Sequence, residues 1–151
     1  MLHLPQSVYH QLRRHGEAAY PNECCGVLLG DLSAKVRWIR EAIAVDNASR
    51  TPRNHYEISP RSLIEVLRQA RSIGIEILGF YHSHPDHPAQ PSSTDLAEAH
   101  WLGCSYLITE VRDGEAAATR AFHLAGSREE DKHFEPEEVA VAPDAPARPV
   151  Q

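Results

Sequence analysis

Read as a pattern of apolar and polar positions, the chain alternates between helical and extended stretches. Val8, Leu12, His15 and Ala19 recur at helical spacing between Pro5, which suits a first helical position, and Pro21, which closes the segment. A helix is therefore expected from about Pro5 to Ala19. CGVLLG, an apolar run bounded by glycines, reads as a buried strand. AKVRWIREAIAV follows as a second strand with less clean alternation, then a loop from Asp46 to Arg53 and a short strand in NHYEIS. Ser59-Pro60 supplies an N-cap and an N1 proline for a helix whose Leu63, Leu67 and Ala70 line one face, with Gly74 at the C′ position. IEILGFYH is a strongly apolar strand. Beyond the loop after it come a helix from about Ser93 to Leu102, a strand CSYLITEV and a return strand through ATRAFHLA, with Asp113-Gly114 between those two as a hairpin signal.

This order of elements predicts one mixed α/β layer structure, placed in residues 1–126. Past Gly126 the pattern fades. SREEDKHFEPEE is charged and VAVAPDAPARPVQ is rich in proline and alanine, so residues 127–151 are expected to form a charged, then flexible, tail. A length of 151 residues fits one domain and leaves no room for two of ordinary size.

Charge and cysteine usage narrow the setting. A net charge of −6 argues against a nucleic-acid partner bound through bulk charge. Cys24, Cys25 and Cys104 give no disulfide framework and no C-x-x-C zinc knuckle, so buried free thiols in a reducing, cytoplasmic setting are expected. No apolar run approaches membrane length, and no membrane partner is expected.

The chemistry concentrates in GFYHSHPDHPAQPSSTD, residues 79–95. On a strand, alternate residues share a face, so His82 and His84 can converge on one ion. Pro85 biases His84 toward extended geometry and keeps the two in register. Taken alone, H-x-H also describes two surface histidines at a strand end; a metal reading needs a third ligand. Asp95 can supply it, although Ser92-Ser93-Thr94-Asp95 equally reads as a capping box, with Ser92 capping and Asp95 reaching back. The two roles compete for the Asp95 carboxylate. Two neutral imidazoles and one carboxylate around Zn²⁺ leave an open fourth position, the composition of a catalytic site rather than a structural one. Glu23, in PNECCGVLLG, sits where a core strand would anchor it and could act as the base. A three-histidine site using His87 is the weaker alternative, because Pro85 and Pro88 turn the chain away from the strand direction there. His100 and Trp101 are expected to pack on the following helix.

Glu23, then His82-Ser83-His84, then seven residues, then Ser92-x-x-Asp95 resembles the JAMM motif of the MPN+ zinc metalloproteases, E…H-[ST]-H-x7-S-x-x-D. P-x-E-C-x-G-x-L-x-G and G-F-Y-H-S-H-P strengthen the likeness, which spans about residues 3–124 and is closest to the small stand-alone bacterial members, some of which process ubiquitin-like sulfur-carrier proteins. The departure is an additional cysteine, Cys24, directly after Glu23. The resemblance implies a cytidine-deaminase-like α/β fold (the MPN domain, a mixed β-sheet flanked by helices). It implies one zinc ion held by His82, His84 and Asp95, with Glu23 activating water and Ser92 stabilising the oxyanion. The implied reaction is hydrolysis of a peptide or isopeptide bond at the C-terminal Gly-Gly of a ubiquitin-like carrier. The short connection after Asp46 leaves little room for the insertions that grip ubiquitin in deubiquitinating members. Two alternatives stand beside this reading. One is a non-catalytic MPN interaction scaffold, which the intact motif disfavours. The other is a RadC-like protein, against which the ECCG segment and the acidic balance speak. The carrier, the kind of bond, the oligomeric state and the reactivity of Cys24 and Cys25 are left open by the sequence.

Overall fold

Two amphipathic helices decide the layering. The computed structural model describes residues 1–144 as β1 (Leu2–Pro5), α1 (Gln6–Ala19), β2 (Cys25–Ser33), β3 (Val36–Val45), α2 (Pro60–Ser72), β4 (Glu76–Pro85), α3 (Ser93–Glu98), β5 (Ser105–Arg112), β6 (Glu115–Ala125), β7 (His133–Glu137) and β8 (Val139–Ala142). α1 buries Val8 and Leu12 in one cluster with Leu28, Tyr81 and Leu107 of the sheet. α2 buries Val66 and Ala70 in a second, with Val27, Leu29, Phe80 and Tyr106. Neighbouring residues of β2 thus serve opposite faces, which is why the central strands read as continuous apolar runs rather than alternating ones. Among the described residues no helix is long and apolar enough to cross a membrane.

The eight strands form one mixed sheet in the order β7-β6-β5-β4-β2-β3-β1-β8. β4 and β5 pair in parallel, β2 pairs antiparallel with both β3 and β4, and β1 runs parallel to β3 and β8. β5 returns into β6 through Asp113 and Gly114, at φ +50° and +85°, the left-handed pair that a two-residue type I′ hairpin needs. β7 and β8 lie at opposite edges of the sheet, yet only Glu138 separates them in sequence. The sheet must curl until its edges meet. A buried seam ties them, with Arg37 of β3 donating to Glu137 of β7 at 3.1 Å and Ser105 of β5 donating to the other Glu137 oxygen at 2.6 Å.

Several expectations need correction. Strands occupy 133–142 of the segment read as a tail, because β7 and β8 complete both edges of the sheet; residues 145–151 lie outside the described residues. Pro5 precedes α1 as its N-cap and belongs to a strand of its own, β1. NHYEIS forms no ladder; the Asn47 side chain holds it instead, accepting from Glu57 N at 3.0 Å and donating to the His55 carbonyl at 3.0 Å. Val66, not Leu67, lies on the buried face of α2. α3 stops at Glu98, so His100 and Trp101 lie in the following connection, where Trp101 packs edge-on against Phe80 and His100 is exposed.

Candidate metal centre

The register of β2 against β4 places the acidic residue and the histidines together. Cys25 stands opposite His82. Two further hydrogen bonds extend that pairing past the end of β2. Ser83 N donates to the Cys24 carbonyl at 3.2 Å, and Cys24 N donates to Ser83 Oγ at 2.8 Å. Counting one residue further sets Glu23 opposite His84, and opposed residues of an antiparallel pair share a face. His82, His84 and Glu23 therefore point to one side, while Ser83 and Cys24 point to the other, toward α1. Gly16 makes that packing possible, since a Cβ there would already touch Val111 Cγ2 at 3.0 Å and Ser83 Cβ at 3.4 Å.

Three donor atoms converge. His82 Nε2 and His84 Nε2 are 3.2 Å apart, and Asp95 Oδ2 lies 3.3 Å from the first and 3.1 Å from the second. Ligands bound to one zinc at about 2.0–2.1 Å in tetrahedral array are about 3.3–3.4 Å from each other, so this triangle has the size the ion requires. His84 Nδ1 lies 2.8 Å from the Pro88 carbonyl, which can only accept; Nδ1 therefore donates there, and in the neutral ring Nε2 would be the nitrogen left to face an ion. A Glu23 carboxylate oxygen falls within 4.8 Å of ligand atoms of both imidazoles. Glu23 is 3 % exposed, and its Oε1 has no hydrogen-bond partner among the described residues. An orphaned carboxylate oxygen beside this triangle fits a cation and its water.

The ionisation of these groups follows from the same geometry. Burial pushes the Glu23 carboxyl up to about 8; His84 opposes this and the Asp95 charge adds to it. Burial lowers His82 despite its contact with Asp95. Burial also acts to lower His84, but the bonds to Asp95 and to Pro88 outweigh it and the net shift is upward. Burial would raise Asp95, yet its bonds from His82 and His84 hold it well below the usual carboxylate range.

Ser92 and Asp95 form the capping box that one reading of their segment expects. Ser92 Oγ accepts from Asp95 N at 3.0 Å and Asp95 Oδ2 accepts from Ser92 N at 2.9 Å, a complete capping box. The oxygen that closes the box is also the one facing both histidines, so capping does not turn the carboxylate away from them. Ser92 is exposed and uses its hydroxyl only as an acceptor here, leaving a donor free at the mouth of the site.

Two supporting residues escaped the sequence. Tyr56 stacks on His82 with ring centroids 4.3 Å apart and also lines a cavity of about 360 Å³ bounded by Leu63, Phe80, Trp101 and Tyr106, with Glu57 and Glu98 in its wall. Asn47 donates to the Glu23 carbonyl at 3.1 Å and so ties Glu23 to the loop that carries Tyr56. Only their polarity within the 46–59 connection hinted at either. His87 stacks on His84 at 4.1 Å with its Nδ1 near the Pro85 carbonyl; it is not one of the converging donors. Burial pushes Cys24 up to about 11 and Cys25 up to about 12, so both stay protonated at neutral pH.

The fold is that of JAB1/MPN domain proteins. One from Archaeoglobus fulgidus superposes with a TM-score of 0.58 over 94% of this chain and 97% of that one, at 17% identity. A protein from Desulfitobacterium hafniense, solved in solution, superposes with a TM-score of 0.83 at 28% identity, covering 95% and 94% of the two chains. The chain belongs to the family of prokaryotic homologs of the JAB domain, whose model matches residues 5–125. It is 39% identical over 74% of its length to a desampylase of Haloferax volcanii, covering 78% of that protein. It is also 31% identical over 67% of its length to a probable TtuB-protein conjugate cleaving protease of Thermus thermophilus, covering 65% of that one. The chain is thus a hydrolytic enzyme of the JAMM type.

Proposed function

We propose that this chain is a zinc-dependent peptidase or isopeptidase that cleaves the bond following the C-terminal Gly-Gly of a small ubiquitin-like protein. The observation that carries it is the triangle of His82, His84 and Asp95 with the unpartnered Glu23 carboxylate beside it. His82, His84 and Asp95 would hold the ion, which when bound supplies Lewis acidity toward the scissile carbonyl and toward water. Glu23 takes the proton of the attacking water and passes it to the departing amine. Its raised pKa in the metal-free protein marks a group that a nearby cation can bring close to neutrality, where a general base works best. The Ser92 hydroxyl donates to the oxygen on which negative charge develops. A non-catalytic scaffold would have no use for a buried carboxylate oxygen lacking a partner, which costs stability.

The substrate class rests on the relatives, one named a desampylase and another a probable TtuB-protein conjugate cleaving protease, and on the small single domain. The test is intact-mass analysis of zinc-loaded protein with Gly-Gly-ending carriers that bear a C-terminal cysteine, a short peptide or a lysine-linked protein. Cleavage by the native sequence but not by Glu23→Gln identifies the reaction, the bond and the base together. No cleavage of any carrier, with one zinc per chain confirmed, would sink the substrate assignment. Full turnover by Glu23→Gln would sink the mechanism.

A further inference from the structure

α3 carries two of the proposed functional groups on a weak element. It has six residues, none of them buried, and a helix so short does not hold itself together in water. Its N-terminal end is closed by the capping box, but the last carbonyls of any helix need partners from elsewhere. Here they meet a lysine. Lys132 Nζ donates to the Ala97 carbonyl at 3.1 Å and to the Ala99 carbonyl at 2.8 Å, and forms an ion pair with Glu129. Its side chain is only 6 % exposed. An ammonium group has three donors, and each has an acceptor, which is the condition for burying a residue that is rarely buried. The turn that presents it is itself fixed, since Asp131 Oδ1 accepts from Ser127 N at 3.0 Å and from Arg128 N at 2.8 Å.

We propose that Lys132 is a positioning residue for the metal centre: by pinning the C-terminal end of α3 it sets the Asp95 carboxylate against the histidines of β4 and the Ser92 hydroxyl over the site. Asp95 lies two residues from Ala97 and four from Ala99, about 3 and 6 Å along the helix axis, so freedom at one end becomes misplacement at the other. A cation at a helix C-terminus also opposes the helix dipole favourably. A substrate contact is excluded, because the ammonium is buried with every donor in use. Lys132 lies beyond residues 5–125, so the clamp reaches the motif from outside the stretch that the family model matches.

This inference rests on Asp95 being a metal ligand, and the test separates the two. Zinc affinity would be measured by competition with a chromophoric chelator, and amide exchange across 93–99 followed in the metal-free protein. Lys132→Met should bind zinc about 10–100-fold more weakly, the range seen when groups that orient metal ligands are removed. It should speed exchange in 93–99 but not in β4, and Lys132→Arg should recover much of both. Ile39→Val, a remote core change (Ile39 is 2 % exposed), serves as a control that lowers Tm without moving either readout. Unchanged affinity and exchange in Lys132→Met overturn the proposal, as does an equal affinity loss in Ile39→Val. If Lys132→Met does not fold, Glu129→Gln and Lys132→Arg decide: an intermediate loss supports the clamp, and native affinity in both overturns it. Asp95→Asn with native zinc affinity would instead overturn the assignment of the site.

Discussion

β4 and α3 contribute to one centre but hold their side chains by opposite means. β4 is central in the sheet, paired on both sides, and its His82 and His84 are buried with the backbone beneath them. α3 is a turn and a half with no buried residue, kept in place by a capping box, by Lys132 and by a 2.6 Å contact between Glu98 and His55. A site assembled this way has a rigid floor and an adjustable wall. In the proposed mechanism the histidines would set where an ion sits, and the wall would decide how well Asp95 and the Ser92 hydroxyl meet it.

The sharpest way to break that contrast is to remove one ligand from each side. His84→Ala should abolish stoichiometric zinc retention after dialysis, whereas Asp95→Asn, which keeps the shape and the cap, should retain measurable but weakened binding. Equal losses, read by metal analysis, would mean that floor and wall are not distinct. Next in size is Ser92→Ala, which should lower kcat about 10²–10³-fold with KM little changed, and should loosen α3 by about 1 kcal/mol through loss of the cap. A pure KM effect in steady-state assays would reassign Ser92 to substrate binding. The last concerns stability alone and belongs to Glu23, which stands opposite His84. In the metal-free protein the Glu23 carboxyl is pushed up to about 8 from an ordinary 4.5. The fold therefore favours its protonated form, and the stability this confers is complete below 4.5 and is lost as pH rises through 8. Metal-free Glu23→Gln should be more stable than the native sequence near pH 9, by up to about 5 kcal/mol, the gap closing toward about pH 5. Parallel urea melts across that range would expose the error if the gap were constant or reversed.

The same contrast governs how much could be read from the sequence. The histidines were legible because spacing on a strand is local information, and Ser59-Pro60 and Asp113-Gly114 were legible because caps and hairpins are written in adjacent residues. β1, β7 and β8 were not. HFEPE contains a proline and two glutamates, which suit an edge strand and equally suit a tail, and only its pairing with β6 decides between them. Lys132 was illegible for a related reason. Its partners, Ala97 and Ala99, lie more than thirty residues earlier and offer only backbone carbonyls, which carry no sequence signature. The motif pointed to the residues of the site; what holds them had to be seen in space.

The single residue Glu138 between the two edges of the sheet has a consequence for how the molecule comes into being. β8 pairs with β1, matching Leu2 with Val139, so β1 gains one of its two neighbours only after more than 130 further residues have been made. Contacts so distant in sequence form late and slowly, after their loop-closure entropy has been overcome. During synthesis β1 waits with one side unpaired, and the clamp on α3, borne by the same late segment, is missing for as long. The wall of the site therefore takes its final position later in assembly than the floor does.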